Sequence, residues 1–251
     1  MGTRNIKLTV IYDGSEYHGW QIQPGVRTIQ GTLADAIREL VGAEVRVFGA
    51  SRTDAGVSAL GQVALVQIDS SIPVENLARV ITHRLPPEIA VAEAVEVPQG
   101  FDLMGDVKSK LYRYTIFTGR LRPVLQIKHC WHLPTKLDIA AMAQAAAMLV
   151  GKKDFKSFAT AADKRQTSVR TIFRCDINRN DDWVHIDVEG DSFLYNMVRN
   201  IVGTLVEVGS GRLIPEKITE ILAAKDRTAA GQIAPAAGLC LMRIKYKTEI
   251  V

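Results

Sequence analysis

Residues 44–68 read EVRVFGASRTDAGVSALGQVALVQI, two apolar runs on either side of a loop of small residues. The runs at 45–48 and 62–68 are rich in the branched residues that strands favour. The loop between them contains Arg52 and Asp54 among glycines, alanines and serines. A turn can use the aspartate and the glycine, but it needs no guanidinium. The stretch predicts two strands joined by a loop, which is either a structural turn, with Arg52 unexplained, or a site that uses both charges.

The rest of the first half alternates strands and helices. A strand, IKLTVIYD, comes first, and a helix follows in which apolar residues recur at helical spacing until Gly42, a typical helix stop. Further elements are expected as a helix near 74–83 and a strand near 89–97. Residues 98–105 are typical of a connection.

The second half repeats this mixture of elements. We expect a strand at 109–118 and an alanine-rich helix from about Leu137 to Val150, with Asp138 and Gly151 as its caps. Two further strands are expected at 168–178 and 183–189. A helix at 193–208, a helix opening at Pro215 and a last strand, LCLMRIKY, complete it. The sequence thus predicts an α+β protein of two α+β halves, residues 1–105 and 106–251.

Composition narrows the class of protein. The chain has 251 residues and a net charge of +4, and its pI of about 9.0 favours a polyanionic partner. Its apolar segments are shorter than the roughly 18 residues that span a membrane, and its start lacks the apolar region of a signal peptide. We expect a cytoplasmic protein that binds no membrane. The three scattered cysteines indicate neither a disulfide framework nor a zinc site.

Asp54 is a candidate nucleophile. A carboxylate is ionised at neutral pH, so it can attack an electrophilic carbon without a base, and Arg52 can orient it and balance its charge. The histidines form no catalytic motif. His129 and His132 in HCWH would lie on opposite faces of a strand, so no metal site is expected.

The strand VKSKLYRYTIF places Lys108, Lys110, Tyr112 and Tyr114 on one face. Such a face suits RNA, because cations meet phosphates and rings stack on unpaired bases at roughly 1 to 3 kcal/mol each. The alternative is that the tyrosines belong to the core and the lysines are only solvated. The strand alone leaves both interpretations open.

The helix DSFLYNMVRNIVGTLVEVGSG has an apolar band too wide for a surface helix, and Arg199 lies within it. Its guanidinium must reach solvent or meet a carboxylate, for which Asp54 is the candidate. Gly203, one turn further on, leaves room for another segment to come close.

These motifs, in this order, resemble those of the tRNA pseudouridine synthase A (TruA) family. The resemblance runs nearly end to end: YDGSEYHGWQIQP, TIQG, SRTDAGVSA, LYRY, DFKSF, VRTI, FLYNMVRNIVGTL, VGSGR and APAAGLCL. It implies a pseudouridine synthase fold, in which two α+β halves, ferredoxin-like or RRM-like, join their mainly antiparallel sheets around an RNA-binding cleft.

The resemblance also implies an activity. Members isomerise uridine to pseudouridine in the anticodon stem-loop of tRNA, at positions 38, 39 and 40, as homodimers without cofactor or metal. Asp54 matches the nucleophile, Arg52 the motif arginine, Tyr112 the tyrosine that stacks on the target base, and Arg199 the residue that pairs with the aspartate. Leu239 and Leu241 match the last strand near the target nucleotide, and Lys110 joins Tyr112 as a substrate-binding candidate.

Some positions differ from the family pattern. Ser51 replaces a common glycine, Ser58 a usual histidine, and FDLM, with Asp102 and Met104, lacks the arginine of F-x-A-R. Three alternatives therefore stay open: a synthase acting on another uridine, an RNA-binding module without catalysis, and a metabolic enzyme of ferredoxin-like fold. The sequence does not choose between attack on C6 of uracil and action at C1′ of the ribose.

Overall fold

The computed structural model describes residues 2–160, 163 and 165–247. Contacts divide the chain into two compact units. One contains the residues up to Lys108 and those from Leu241 onward, and the other is Ser109–Cys240. Each unit combines helices with strands that form a sheet.

In its described residues the first unit has five strands and two α-helices. In chain order they are β1 (Arg4–Tyr12), α1 (Ile29–Val41), β2 (Val47–Gly49), β3 (Ser58–Ile68), α2 (Val74–Thr82), β4 (Ile89–Val97) and, returning at the end of the chain, β10 (Leu239–Tyr246), whose first two residues belong to the other unit. The strand order is β4-β1-β3-β10, with β2 also paired to β3.

The antiparallel pairing of β1 with β3 sets the core of this unit. Ile6 lies opposite Val66 and Leu8 opposite Ala64, and all four side chains are buried. Alternate residues of a strand share a face, so these pairs make one apolar surface. Gly42 ends α1 with a φ of 69°, which confirms the expected stop at a left-handed residue.

Among its described residues the second unit contains five further strands and three α-helices. They are β5 (Val107–Phe117), whose first two residues belong to the first unit, β6 (Trp131–His132), α3 (Ile139–Ala147), β7 (Gly151–Asp154), β8 (Val169–Asn180), β9 (Trp183–Gly190), α4 (Met197–Gly209) and α5 (Lys217–Ala224). The strand order is β5-β9-β8-β7, with β6 beside β5. These pairs are antiparallel except for β5 with β6. The predicted α+β class with mainly antiparallel strands is confirmed.

Two predicted helix bounds were wrong. The alanine-rich helix α3 begins after its cap Asp138, as expected, but ends at Ala147 instead of running to Val150. Gly151, with a φ of 103°, opens strand β7 and does not cap a helix. The helix expected from residue 193 begins at Met197, because Asn196 is left-handed with a φ of 61°. In the part of the chain that the structure describes, no helix is long and apolar enough to cross a membrane.

Candidate active site

The loop that contains Asp54 joins β2 to β3. Asp54 is half-buried between buried Thr53 and a turn at Ala55 and Gly56. The N–H of Val57 donates to the Asp54 carbonyl at 3.1 Å, and Gly56 has a φ of 78°. Glycine at this position lets the chain turn without strain. The turn therefore fixes the backbone on the C-terminal side of the aspartate.

A second segment, residues 14–20, fixes the loop from outside. The N–H of Trp20 donates to the Thr53 carbonyl at 3.0 Å, and the N–H of Gly56 donates to the Tyr17 carbonyl at 3.2 Å. At Gly19, where φ is 85°, a Cβ would lie only 2.6 Å from the Thr53 oxygen. Only glycine permits this approach. The motif DGSEYHGW thus positions the backbone that precedes and follows Asp54.

Gln62 of β3 supports the other end of the loop. Its side-chain amide accepts from the Ser51 N–H at 3.2 Å and donates to the Ser51 carbonyl at 2.7 Å. It also donates to the Tyr12 hydroxyl at 3.4 Å, and that hydroxyl shares a 2.8 Å hydrogen bond with Thr53 Oγ1. Gln62 is fully buried. A buried, satisfied polar network holds a backbone in one geometry.

Neither Tyr12 nor Gln62 was predicted as part of the site. The signal for Gln62 was present, since it is a polar residue at the start of the apolar run QVALVQI. A buried amide needs partners, and a strand core does not supply them. Its location beside the loop indicates that those partners are loop atoms.

Arg52 and Asp54 differ in their surroundings. Arg52 is exposed, whereas Asp54 is half-buried. The small residues before them are buried, and Ala50 packs in a cluster with Val63 and Leu103. Packing therefore accounts for the size of the residues at the start of the loop. The roles predicted for Arg52 and Asp54 stay predictions.

The two tyrosines of β5 have different environments. Tyr114 is fully buried and its hydroxyl donates to the Pro235 carbonyl at 2.7 Å, so it is a core residue, as one of the two interpretations held. Tyr112 is 6% exposed, and its ring contacts Phe193 edge to face at a centroid distance of 5.2 Å. The stacking role predicted for Tyr112 stays a prediction.

Lys110 precedes Tyr112 by two residues on the same face of β5 and is half-buried. Burial, with a smaller contribution from the positive charge of Arg165, lowers the pKa of Lys110 to about 8. A lysine whose charge is disfavoured in the free protein gains from a nearby anion. This environment fits its predicted contact with substrate.

Arg199 of α4 is half-buried and bound to nearby polar atoms. Its Nε donates to the Ala234 carbonyl at 2.8 Å, and its Nη1 donates to Asn196 Oδ1 at 3.1 Å. The N–H of Ala234 donates back to the Arg199 carbonyl at 3.2 Å. The segment around Ala234 is thus anchored to the helix at Arg199. The pairing of Arg199 with Asp54 stays a prediction.

Gly203 allows the same segment to approach α4. A Cβ at this position would overlap the Gln232 carbonyl oxygen. The N–H of Gly231 donates at 3.0 Å to Oγ1 of Thr204, the next residue of the helix. The expectation that a segment of chain comes close at Gly203 is confirmed, and the segment is 231–234.

The remaining candidates lie in β10. Leu239 is 6% exposed and Leu241 is fully buried, so both contribute to the packing of the last strand. Their predicted contact with the target nucleotide stays a prediction.

The departures from the family pattern have local roles. Ser58 Oγ accepts from the Gly14 N–H at 3.1 Å. Asp102 Oδ1 accepts from the N–H groups of Met104 and Gly105 at 3.0 and 2.9 Å, and these bonds lower its pKa. Asp102 therefore closes a turn, while the Met104 side chain is exposed.

A family model described as tRNA pseudouridine synthase matches residues 8–103 and 145–247. The chain belongs to this family, which confirms the resemblance found in its motifs.

Individual relatives match over nearly the whole chain. Three proteins named tRNA pseudouridine synthase A are 46% identical in Moorella thermoacetica, 42% in Acetivibrio thermocellus and 43% in Geotalea daltonii. Each alignment covers 96 to 97% of this chain, and the Moorella alignment covers 99% of that relative. Among solved structures, a chain of a Cbf5-Nop10-Gar1 complex is similar with a TM-score of 0.37 and 12% identity. The match covers 96% of this chain and 60% of that one.

Proposed function

We propose that the protein converts uridine to pseudouridine in tRNA. The observation that carries this proposal is the near full-length similarity to proteins named tRNA pseudouridine synthase A, at up to 46% identity. The metabolic-enzyme alternative has no comparable support.

Asp54 is the proposed nucleophile. Its loop is held by backbone hydrogen bonds from Trp20 and Gly56 and by the amide of Gln62. A fixed loop keeps a reactive carboxylate in a productive position and avoids reorganisation during the reaction. The carboxylate either adds to C6 of uracil or acts at C1′ of the ribose, and both routes need an anionic group at this point.

Tyr112 and Lys110 are the proposed substrate-binding residues of β5. The target nucleotide must leave its stack, which costs a few kcal/mol, and stacking on Tyr112 offsets part of that cost. Leu239 and Leu241 supply the apolar surface of the last strand. Arg52 and Arg199 supply the positive charge that balances Asp54 and the RNA.

The proposed substrate region is the anticodon stem-loop, with uridines 38, 39 and 40 as targets. An unmodified tRNA transcript incubated with the protein should acquire pseudouridine at these positions and at no position outside the anticodon arm. Mapping of pseudouridine at nucleotide resolution measures this directly. Product at other positions alone would reject the anticodon-arm assignment.

A different target uridine is favoured by two specific departures. Ser58 replaces a usual histidine, and Met104 stands where an arginine is common. In tRNA from a strain that lacks the gene, loss of modification at 38 to 40 supports the anticodon arm. Loss at another uridine with intact positions 38 to 40 supports the alternative.

The proposed working form is a cytoplasmic homodimer. We also propose that the two halves of the chain contribute different site residues. Residues 1–105 contain the nucleophile, and residues 106–251 contain Tyr112 and Arg199.

A further inference from the structure

Three strand ends of the second unit meet beside Tyr112. In the register of the sheet Lys110 of β5 lies opposite Gly190 of β9, and Gly190 lies opposite Ile172 of β8. Arg170 precedes Ile172 by two residues, so it shares the face of the sheet with Ile172 and Lys110. This face therefore brings Lys110 and Arg170 to the same end of the sheet.

Arg170 has a buried guanidinium, and no carboxylate in the described part of the chain forms a salt bridge with it. The residue is 8% exposed. Its Nη1 donates to the carbonyl oxygens of Thr167 and Val169 at 2.9 and 2.6 Å, and its Nε is buried without a hydrogen-bond partner among the described residues. A buried, incompletely satisfied cation is costly, and an anion with several acceptor oxygens would relieve that cost.

Two carboxylates act on Arg170, and both already have hydrogen-bond partners. Asp163 accepts from the Tyr195 N–H at 2.6 Å and from the backbone N–H and Nη1 of Arg165 at 2.9 and 2.5 Å. Asp191 accepts from the Thr171 N–H and the Ser192 hydroxyl, each at 3.1 Å. Arg165, Arg170 and Lys110 therefore bring three cationic side chains to this region, where both acids that act on Arg170 already have partners.

The cations also affect one another. Burial is the main cause that lowers the pKa of Arg170, and the charge of Arg165 lowers it further. Arg165 acts in the same direction on Lys110. Lys110 and Arg170 therefore both experience the positive field of Arg165. A bound anion would relieve this repulsion.

An aromatic surface borders this cluster. Gly190 has no side chain. A Cβ added at Gly190 would lie 3.2 Å from the ring of Phe193. Phe193 in turn contacts Tyr112 edge to face. A nucleotide whose base stacks on Tyr112 would bring a phosphate of its own chain toward Lys110.

We propose that Lys110, Arg165 and Arg170 form a subsite for one backbone phosphate of the RNA, adjacent to the target nucleotide. The subsite rests on the proposed function and adds to it the part of the substrate that the second unit recognises. Arg170 is the buried member that sets the geometry. Arg165 is the exposed member that reaches the phosphate from solvent.

The test compares Arg165→Gln with Arg179→Gln. Arg165 has a side chain 46% exposed, so its replacement leaves the core intact. Arg179 lies at the opposite end of β8, is exposed and donates to the nearby Asp181 carbonyl, which makes it the matched control. The measurement is the Kd of an unmodified tRNA transcript as a function of salt concentration.

The expected result is a loss specific to Arg165→Gln. Its Kd should rise about tenfold, and the slope of log K against log salt should fall by about 0.7 to 0.9, the value for one phosphate contact. Arg179→Gln should keep the wild-type Kd and slope. Equal slopes for wild type and Arg165→Gln would overturn the subsite.

A second measurement identifies the phosphate. RNA substrates each contain one neutral methylphosphonate next to the target uridine. At one position the substitution should weaken wild-type binding about tenfold and weaken Arg165→Gln binding clearly less, because one of the three cations that contact the phosphate is already gone. Additive losses at every position would overturn the subsite and favour a purely structural charge cluster.

These measurements separate the subsite from the proposed function. Release of tritium from C5 of uridine in tRNA reports the isomerisation, whatever the binding mode. Release by the wild type with an unchanged salt slope in Arg165→Gln rejects the subsite alone. Absence of release by the wild type, with tRNA still bound, rejects the proposed function while the binding experiment still decides the subsite.

Discussion

At the scale of single residues, Gln62 stabilises the loop that contains Asp54, although it lies outside that loop, in strand β3. It makes two hydrogen bonds to the backbone of Ser51 from a fully buried position. The identity of Asp54 as a candidate followed from its charge and its loop. The support from Gln62 could not be predicted, because it depends on a contact between residues 11 positions apart whose geometry the sequence does not define.

Gln62→Leu should therefore destabilise the protein and impair its site. Leucine keeps much of the volume but leaves the Ser51 backbone groups without partners, which costs about 1 to 3 kcal/mol of unfolding free energy. Urea denaturation measures this loss, and kcat for tRNA modification should fall because the loop is no longer fixed. Tyr12→Phe, which removes a single hydroxyl, should have a smaller effect on both. A Gln62→Leu protein with wild-type stability and kcat would contradict this role.

Lys110 should make RNA binding sensitive to pH. Its pKa in the free protein is about 8, below the usual lysine value, because of burial and Arg165. Arg170 lies at the same end of the sheet as Lys110, and Asp191 and Asp163 in turn act on Arg170. Lys110 is mostly charged at pH 7 and mostly neutral at pH 9, so affinity for tRNA should fall as pH rises through 8.

The variant Lys110→Arg provides the control for this dependence. Arginine stays charged across the range, so its Kd should be flat between pH 7 and pH 9. Fluorescence anisotropy with labelled tRNA measures both proteins. A wild-type Kd that is equally flat would show that the charge of Lys110 does not contribute to binding.

At the scale of elements, most strands and helices follow from periodicity. The strand at 89–97 and the last strand LCLMRIKY were predicted at the bounds observed for β4 and β10. Strand β7 was missed, because GKKD has no apolar alternation and pairs at the edge of the sheet. The start of α4 was misplaced, because the left-handed Asn196 interrupts a continuous apolar pattern.

The packing of α4 makes Gly203 sensitive to substitution. In Gly203→Ala the new methyl group would overlap the Gln232 carbonyl, so the segment 231–234 must move. We expect a loss of about 1 to 3 kcal/mol in unfolding free energy. Activity should fall too, since Arg199 is tied to the same segment through Ala234.

Gly100→Ala is the control for Gly203→Ala, because nothing lies within 4 Å of its added Cβ. Equilibrium unfolding in urea compares the two variants. Similar stability of both proteins would mean that the approach at Gly203 is not required for folding.

At the scale of the whole molecule, the candidate site residues belong to two structural units. One of these units is built from two separate stretches of the sequence. Asp54 belongs to the first unit, and Tyr112 and Arg199 belong to the second. Residues from Leu241 onward return to the first unit. The family could be recognised from motif order alone, whereas the membership of each segment in a unit depends on long-range strand pairing.

The homodimer is a prediction for the whole molecule. Sedimentation equilibrium should give a mass of twice 27.6 kDa at micromolar concentration. A monomer mass across the concentration range, with full activity, would contradict a dimeric working form.

The most direct measurement is tritium release from C5 of uridine in tRNA by the wild type, Asp54→Asn and Asp69→Asn. Asparagine preserves the shape of the side chain and removes its nucleophilic charge. Asp69 is an exposed aspartate just after β3 and serves as the control. The prediction is release by the wild type and Asp69→Asn, with none above background by Asp54→Asn, although all three bind tRNA. Release by Asp54→Asn at the wild-type rate would contradict the assignment of Asp54 as the nucleophile.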